Sequence, residues 1–177
     1  MRNFRLSFVL AVVACSVLVG TGWLTAGSAS AAAGGSSPDQ FAATTLRELA
    51  QARAATARYH DVADALADGY VRVSPFVPGE GFHYTKGSLV DCTFDPEQPE
   101  SLHYAFRPNG TDLKLVGVEY LVPTACSPSV PPDGFTGDAD EWEQERPGGV
   151  SVWNLNAWIW LNNPDGIFAE RNPLLVP

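Results

Sequence analysis

The chain has 177 residues, a formal net charge of −9 and a pI near 4.6. Acidity of this size repels phosphate backbones and anionic lipid, which excludes nucleic acid and a charged membrane surface as partners. It favours solubility or a cationic partner and says nothing about fold.

Met1 to Ala33 reads as an export signal. Arg2 and Arg5 give a basic start, Phe8 to Val19 is a mostly apolar run without charge, and Ala29-Ser30-Ala31 supplies small residues for cleavage. Two rival readings are weaker. The run is short for a retained membrane anchor. Cys15 after Val12-Val13-Ala14 is a poor lipidation box, because Ser16 to Leu24 stays mostly apolar behind it. Cleavage removes two arginines and deepens the net charge to about −11. The remaining stretch, residues 34–177, suits a single extracytoplasmic domain. Residues 34–37 form a Gly/Ser linker.

Ser37-Pro38-Asp39 has the chemistry of a helix start. From Asp39 to Asp68 there is neither Gly nor Pro, and Leu46, Leu49, Ala50, Val62, Ala63, Leu66 and Tyr70 fall near helical spacing. The pattern predicts one long helical segment, or two pieces with a break near Ala54 to Thr56. Gly69 closes it.

The middle of the chain predicts β structure. Asn109-Gly110 favours a tight hairpin turn, and the same residues with Thr111 form a glycosylation sequon that the turn already explains. Counting outward pairs Phe106 with Leu113, Tyr104 with Leu115 and Leu102 with Gly117. His103 then faces Val116 on the other side. Pro123 to Gly149 is irregular, with an acidic run from Asp138 to Glu145 that lacks the spacing of a calcium loop. Val150 to Trp160 is the last strand, and Asn163-Pro164-Asp165-Gly166 is a turn. The fold class is α+β, with a long N-terminal helical segment packed on a mostly antiparallel sheet that curls toward a barrel.

Cys92 and Cys126 are the cysteines left after cleavage. In an oxidising compartment they pair, closing a loop worth ~3–4 kcal/mol. No Cys-x-x-Cys and no zinc-like histidine spacing occurs.

Glu119 is the oddest residue. Simple alternation puts it with Leu113, Leu115, Gly117 and Leu121 on the face that the hairpin makes the core. A carboxylate there needs a partner or water, with Arg72 and Arg171 as the basic candidates. His83, between Phe82 and Tyr84, and Asn156, beside Trp158, are the other polar residues in apolar strands. His83, Tyr84, Glu119, Asn156 and Trp158 together make a candidate ligand-binding pocket, apolar-walled with a few polar groups.

The segments A-D-G-Y (67–70), G-F-H-Y (81–84), F-D-P-E-Q-P-E-S-L-H-Y (94–104), L-V-G-V-E-Y-L-V-P (115–123), W-N-L-N-A-W-I-W (153–160) and N-P-D-G-I-F-A-E-R-N-P (163–173) follow one another in a characteristic order. In this the chain resembles a family of uncharacterised exported bacterial proteins over roughly residues 54–173. The resemblance implies a pocket containing His83 and Glu119. Relatives often carry His in the last strand where this chain has Asn156, and Asn is a poor soft-metal ligand, so the resemblance counts against a bound transition metal.

The leading functional expectation is a secreted, non-enzymatic protein whose pocket takes a small ligand or a metal; no cofactor is named. The alternatives are an enzyme using His83 and Glu119 as acid and base, and an extracellular assembly protein, with homo-oligomers left open. No Gly-x-Ser-x-Gly, His-Glu-x-x-His or phosphate loop supports a specific enzyme.

Overall fold

The computed structural model describes residues 41–108, 110 and 112–177. The export signal, the linker, the Ser37-Pro38-Asp39 helix start and the sequon residues Asn109 and Thr111 lie outside the described residues.

The helical segment is short and in pieces. Helix α1 spans Ala43–Thr56, a 3₁₀ turn covers Ala57–His60, and helix α2 spans Val62–Ala67. The expected single long helix is therefore corrected: the segment is broken, at residues 57–61, just past the Ala54 to Thr56 break of the alternative reading. The break is chemical. Thr56 Oγ1 donates to Ala52 O at 2.7 Å and accepts from Trp160 Nε1 at 3.1 Å. That ties the last turn of α1 to the far end of the chain. Asp61 is extended and caps α2 by accepting from Ala63 N at 2.9 Å. Gly69, at φ +97°, ends α2 as expected: its N–H reaches Leu66 O and the Tyr70 N–H reaches Ala65 O. The buried stripe of α1 is Thr45, Leu49, Ala52 and Thr56, so Leu46 faces solvent.

Among the described residues six strands form one open antiparallel sheet: β1 (Val71–Arg72), β2 (Phe82–Thr85), β3 (Ser101–Phe106), β4 (Leu113–Pro123), β5 (Glu143–Glu145) and β6 (Val152–Ala157). Their order is β1-β2-β3-β4-β6-β5. The short strands β1 and β5 remain as edges, so the sheet does not close into a barrel. Part of the acidic run, expected as loop, is β5 laid against β6.

One face carries the main core. Tyr84, Leu102, Tyr104, Leu115, Val118, Tyr120 and Leu155 pack there with Leu49, Ala52, Tyr59 and Ala65 of the helical segment. Buried tyrosine hydroxyls find backbone acceptors, as when Tyr104 donates to Tyr59 O at 2.6 Å. The Cys92–Cys126 disulfide is present and joins the loop before β3 to the loop after β4. No described helix is long and apolar enough to cross a membrane.

The register of β3 against β4 decides the rest. Phe106–Leu113 and Tyr104–Leu115 pair as expected near the turn. Then a bulge intervenes between His103 and Tyr104, and His103 pairs with Gly117, Leu102 with Val118 and Ser101 with Glu119. The expected Leu102–Gly117 and His103–Val116 pairs are thus off by one residue. A bulge inserts one extra residue and reverses the inside-outside parity beyond it. Leu115 faces the core, and so do Val118 and Tyr120. Glu119 faces the opposite way.

Candidate functional site

The second face of the sheet holds the polar residues. Directly paired residues of antiparallel strands share a face. His83 pairs with His103, and His103 with Gly117. Ser101 pairs with Glu119, Glu119 with Asn156, and Leu121 with Asn154. The bulge therefore brings Glu119 onto the side of the two histidines. The expectation that it projects into the main core is corrected, yet it is still only 6% exposed. Neither arginine proposed as its partner meets it in an ion pair; Glu119 Oε2 instead stands 3.5 Å from His103 Nε2.

His103 is the residue that sequence reasoning passed over. It is 1% exposed. At 3.5 Å the approach to Glu119 is an ion-pair distance, too long for a good hydrogen bond. Both ring nitrogens are buried without a hydrogen-bond partner. One side of the ring is walled by Trp158, 5.4 Å away between centroids, and the His83 ring crosses it at 4.5 Å, nearly perpendicular. Gly117 makes room for this stack. A Cβ there would stand 2.9 Å from Trp158 Cε3. Two signals in the chain pointed this way: the echo of F-H-Y in L-H-Y, and an isolated Gly inside a strand, which often marks a bulge.

His83 is held from both ends. Ser74 Oγ lies 2.9 Å from its Nδ1 and accepts its backbone N–H at 2.9 Å. Glu80 Oε2 lies 3.3 Å from its Nε2. Glu80 is in turn paired with Arg171 at 3.0 Å. The turn that carries Glu80 needs Gly81 at φ +89°, where a Cβ would collide with Tyr104 O.

The other expected pocket members divide. Asn156 sits across from Glu119; its Nδ2 donates to Glu170 O at 2.9 Å and its Oδ1 is buried without a donor. Trp158 donates from Nε1 to Ala169 O at 2.7 Å and forms a wall behind His103. Tyr84 belongs to the other face. Its ring packs 4.9 Å from Tyr104 in the main core, so strand alternation beside His83 removes it from the site.

Above these residues opens a cleft of about 510 Å³. Its walls include Val73, Val90, Leu121, Val150 and Val152; His83, Glu119, Ser74 and Glu145 supply its polar lining. The charges interact. Burial pulls the His83 pKa down, but the hydrogen bond to Glu80 and the charges of Glu119, Glu80 and Glu145 outweigh it and leave it raised. Burial pushes His103 below its ordinary value, with the His83 charge acting the same way. For Glu119, burial alone would raise the pKa; the histidines beside it hold the carboxyl below the usual range.

One ligating atom each from His83, His103 and Glu119 lie within 4.8 Å of one another. Two imidazoles and a carboxylate can hold a metal, bind a polar head group, or exchange protons. No family model matches the chain, and neither a curated protein nor a solved structure is significantly similar to it.

Proposed function

We propose that the chain is an extracytoplasmic binding protein whose cleft takes a small molecule with an apolar body and a polar head. The supporting observation is the combination of aliphatic walls with the His83 and Glu119 lining of a cavity of about 510 Å³, His103 standing within 4.8 Å behind them. Cavities of this size suit metabolite-sized ligands, with aliphatic walls for affinity and a few polar groups for orientation. Export rests on the leader residues and fits the disulfide. Kinship with the exported bacterial family is part of the proposal and rests on the six quoted segments.

The test is ligand retention. Native mass spectrometry of protein recovered from its producing cells is compared with Glu119→Gln, and both are screened against a metabolite library by thermal shift. The variant should weaken binding about tenfold or more, since a hydrogen bond to a charged group contributes ~1.5–3 kcal/mol. Identical ligand profiles for the two proteins would sink the proposal.

A second reading, acid–base catalysis by His83 and Glu119, is favoured by their proximity within 4.8 Å, with no core layer between them. It requires turnover of the retained molecule, lost in both His83→Gln and Glu119→Gln.

A further inference from the structure

We infer that His83, His103 and Glu119 form a binding site for a divalent transition-metal ion of the zinc class, with its open position facing the cleft. The inference rests on the cleft being the functional site and names what its floor holds.

The donor set comes first. Two imidazole nitrogens and one carboxylate suit zinc and its first-row neighbours, and suit calcium or magnesium poorly, since those prefer many oxygens. Three protein ligands leave a fourth tetrahedral place for water or another molecule. Both His83 and Glu119 line the cleft, so that place is reachable from outside.

The spacing comes second. Metal–nitrogen and metal–oxygen bonds of ~2.0–2.2 Å put neighbouring tetrahedral ligands roughly 3.3–3.5 Å apart. The edge from His103 Nε2 to Glu119 Oε2 is already 3.5 Å. The other edges, at most 4.8 Å, close by rotation of the His83 and Glu119 side chains.

The third observation is independent of spacing. His103 is almost wholly buried, and neither ring nitrogen has a hydrogen-bond partner. On the same face, the Oδ1 of Asn156, directly across from Glu119, is also buried without a donor. Buried polar atoms without partners are costly, so their concentration around one carboxylate points to a cation and its water as the missing partner.

The support around the ligands fits as well. Ser74 holds the Nδ1 side of His83, and Glu80, anchored by Arg171, holds the Nε2 side. The longer contact, from Glu80, releases Nε2 to the ion, and Ser74 stays on Nδ1 to orient the ring, as outer groups do for metal-bound histidine.

The experiment uses the full exported chain, stripped with chelator and titrated with zinc chloride by calorimetry, with cobalt(II) absorption as a second readout. The expected result is a single zinc equivalent, intense cobalt bands of a tetrahedral site, and no response to calcium. Glu119→Gln and His83→Gln should each weaken zinc by more than about 100-fold, beyond the range of outer-shell substitutions; Ser74→Ala should fall within that range of ~10–100-fold. His103→Ala joins the series if its circular dichroism stays native. Absence of stoichiometric zinc binding overturns the inference, and so does zinc binding that survives both Gln variants. The cleft is scored separately by an apolar fluorescent dye and the blocking variant Leu121→Arg. Dye binding that Leu121→Arg abolishes, in a protein that binds no zinc, leaves the cleft reading intact and removes the metal. Zinc bound to the floor while the dye ignores Leu121→Arg removes the cleft reading instead.

Discussion

Replacing Glu100 with Gln should make the protein resist alkali. Glu100 is 2% exposed, and its carboxyl does a backbone's work. The last β3–β4 pair is Ser101 with Glu119. Beyond it, Leu121 has no β3 residue opposite, and its N–H donates to Glu100 Oε2 at 3.0 Å. Burial is the main cause that pushes this carboxyl from 4.5 to about 8, with the charges of Asp91 and Glu119 adding to it and the Leu121 hydrogen bond opposing it. The folded state therefore holds the proton more tightly than the unfolded one. The associated stability is complete below pH 4.5, declines as pH rises, and is gone above about 8. At ~1.4 kcal/mol per unit, the group costs the wild type about 4 kcal/mol between about pH 5 and pH 9. Gln keeps the acceptor and the shape but cannot ionise. Urea unfolding of both proteins, followed by circular dichroism at the two pH values, isolates the effect, because every other titrating group cancels in the difference. The stability of Glu100→Gln relative to wild type should rise by about 4 kcal/mol across that range. A difference that stays flat with pH would refute a neutral buried carboxyl.

Gly117→Ala would put a Cβ 2.9 Å from Trp158 Cε3 and 3.2 Å from Ala157 O. It should cost about 1–3 kcal/mol by overpacking and shift Trp158 away from His103, visible as lower stability and altered tryptophan fluorescence; unchanged unfolding would mean that the bulge does not seat the indole. Opening the Cys92–Cys126 bridge with paired serines frees a 34-residue separation. It should lower stability by ~3–4 kcal/mol in urea, and a loss near zero would show that the loops before β3 and after β4 are tied by other contacts.

Much of the fold is legible in local chemistry. Gly69 sets the end of α2, and the turn residues set the first hairpin pairs. The alternation of β6 separates Leu155 and Ala157 from Asn154 and Asn156. The export reading rests on sequence alone. Less legible was the length of α1, because its end depends on Thr56 meeting Trp160, 104 residues away. Tyr84 was grouped with His83 although neighbours on a strand point to opposite faces. His103 was passed over because its importance lies in what stands across from it.

The sequence by itself determined the disulfide partners, the closing turn of the helical segment, and the presence of a few polar residues among apolar strands. Each follows from residue type or near-neighbour spacing, which a single chain displays. Only the tertiary structure decided where Glu119 points. A one-residue bulge opposite His103 reverses the parity of β4, and with it the acid leaves the main core to stand beside two histidines. Register between distant strands is fixed by packing of side chains drawn from the whole chain, here by Gly117 yielding space to Trp158.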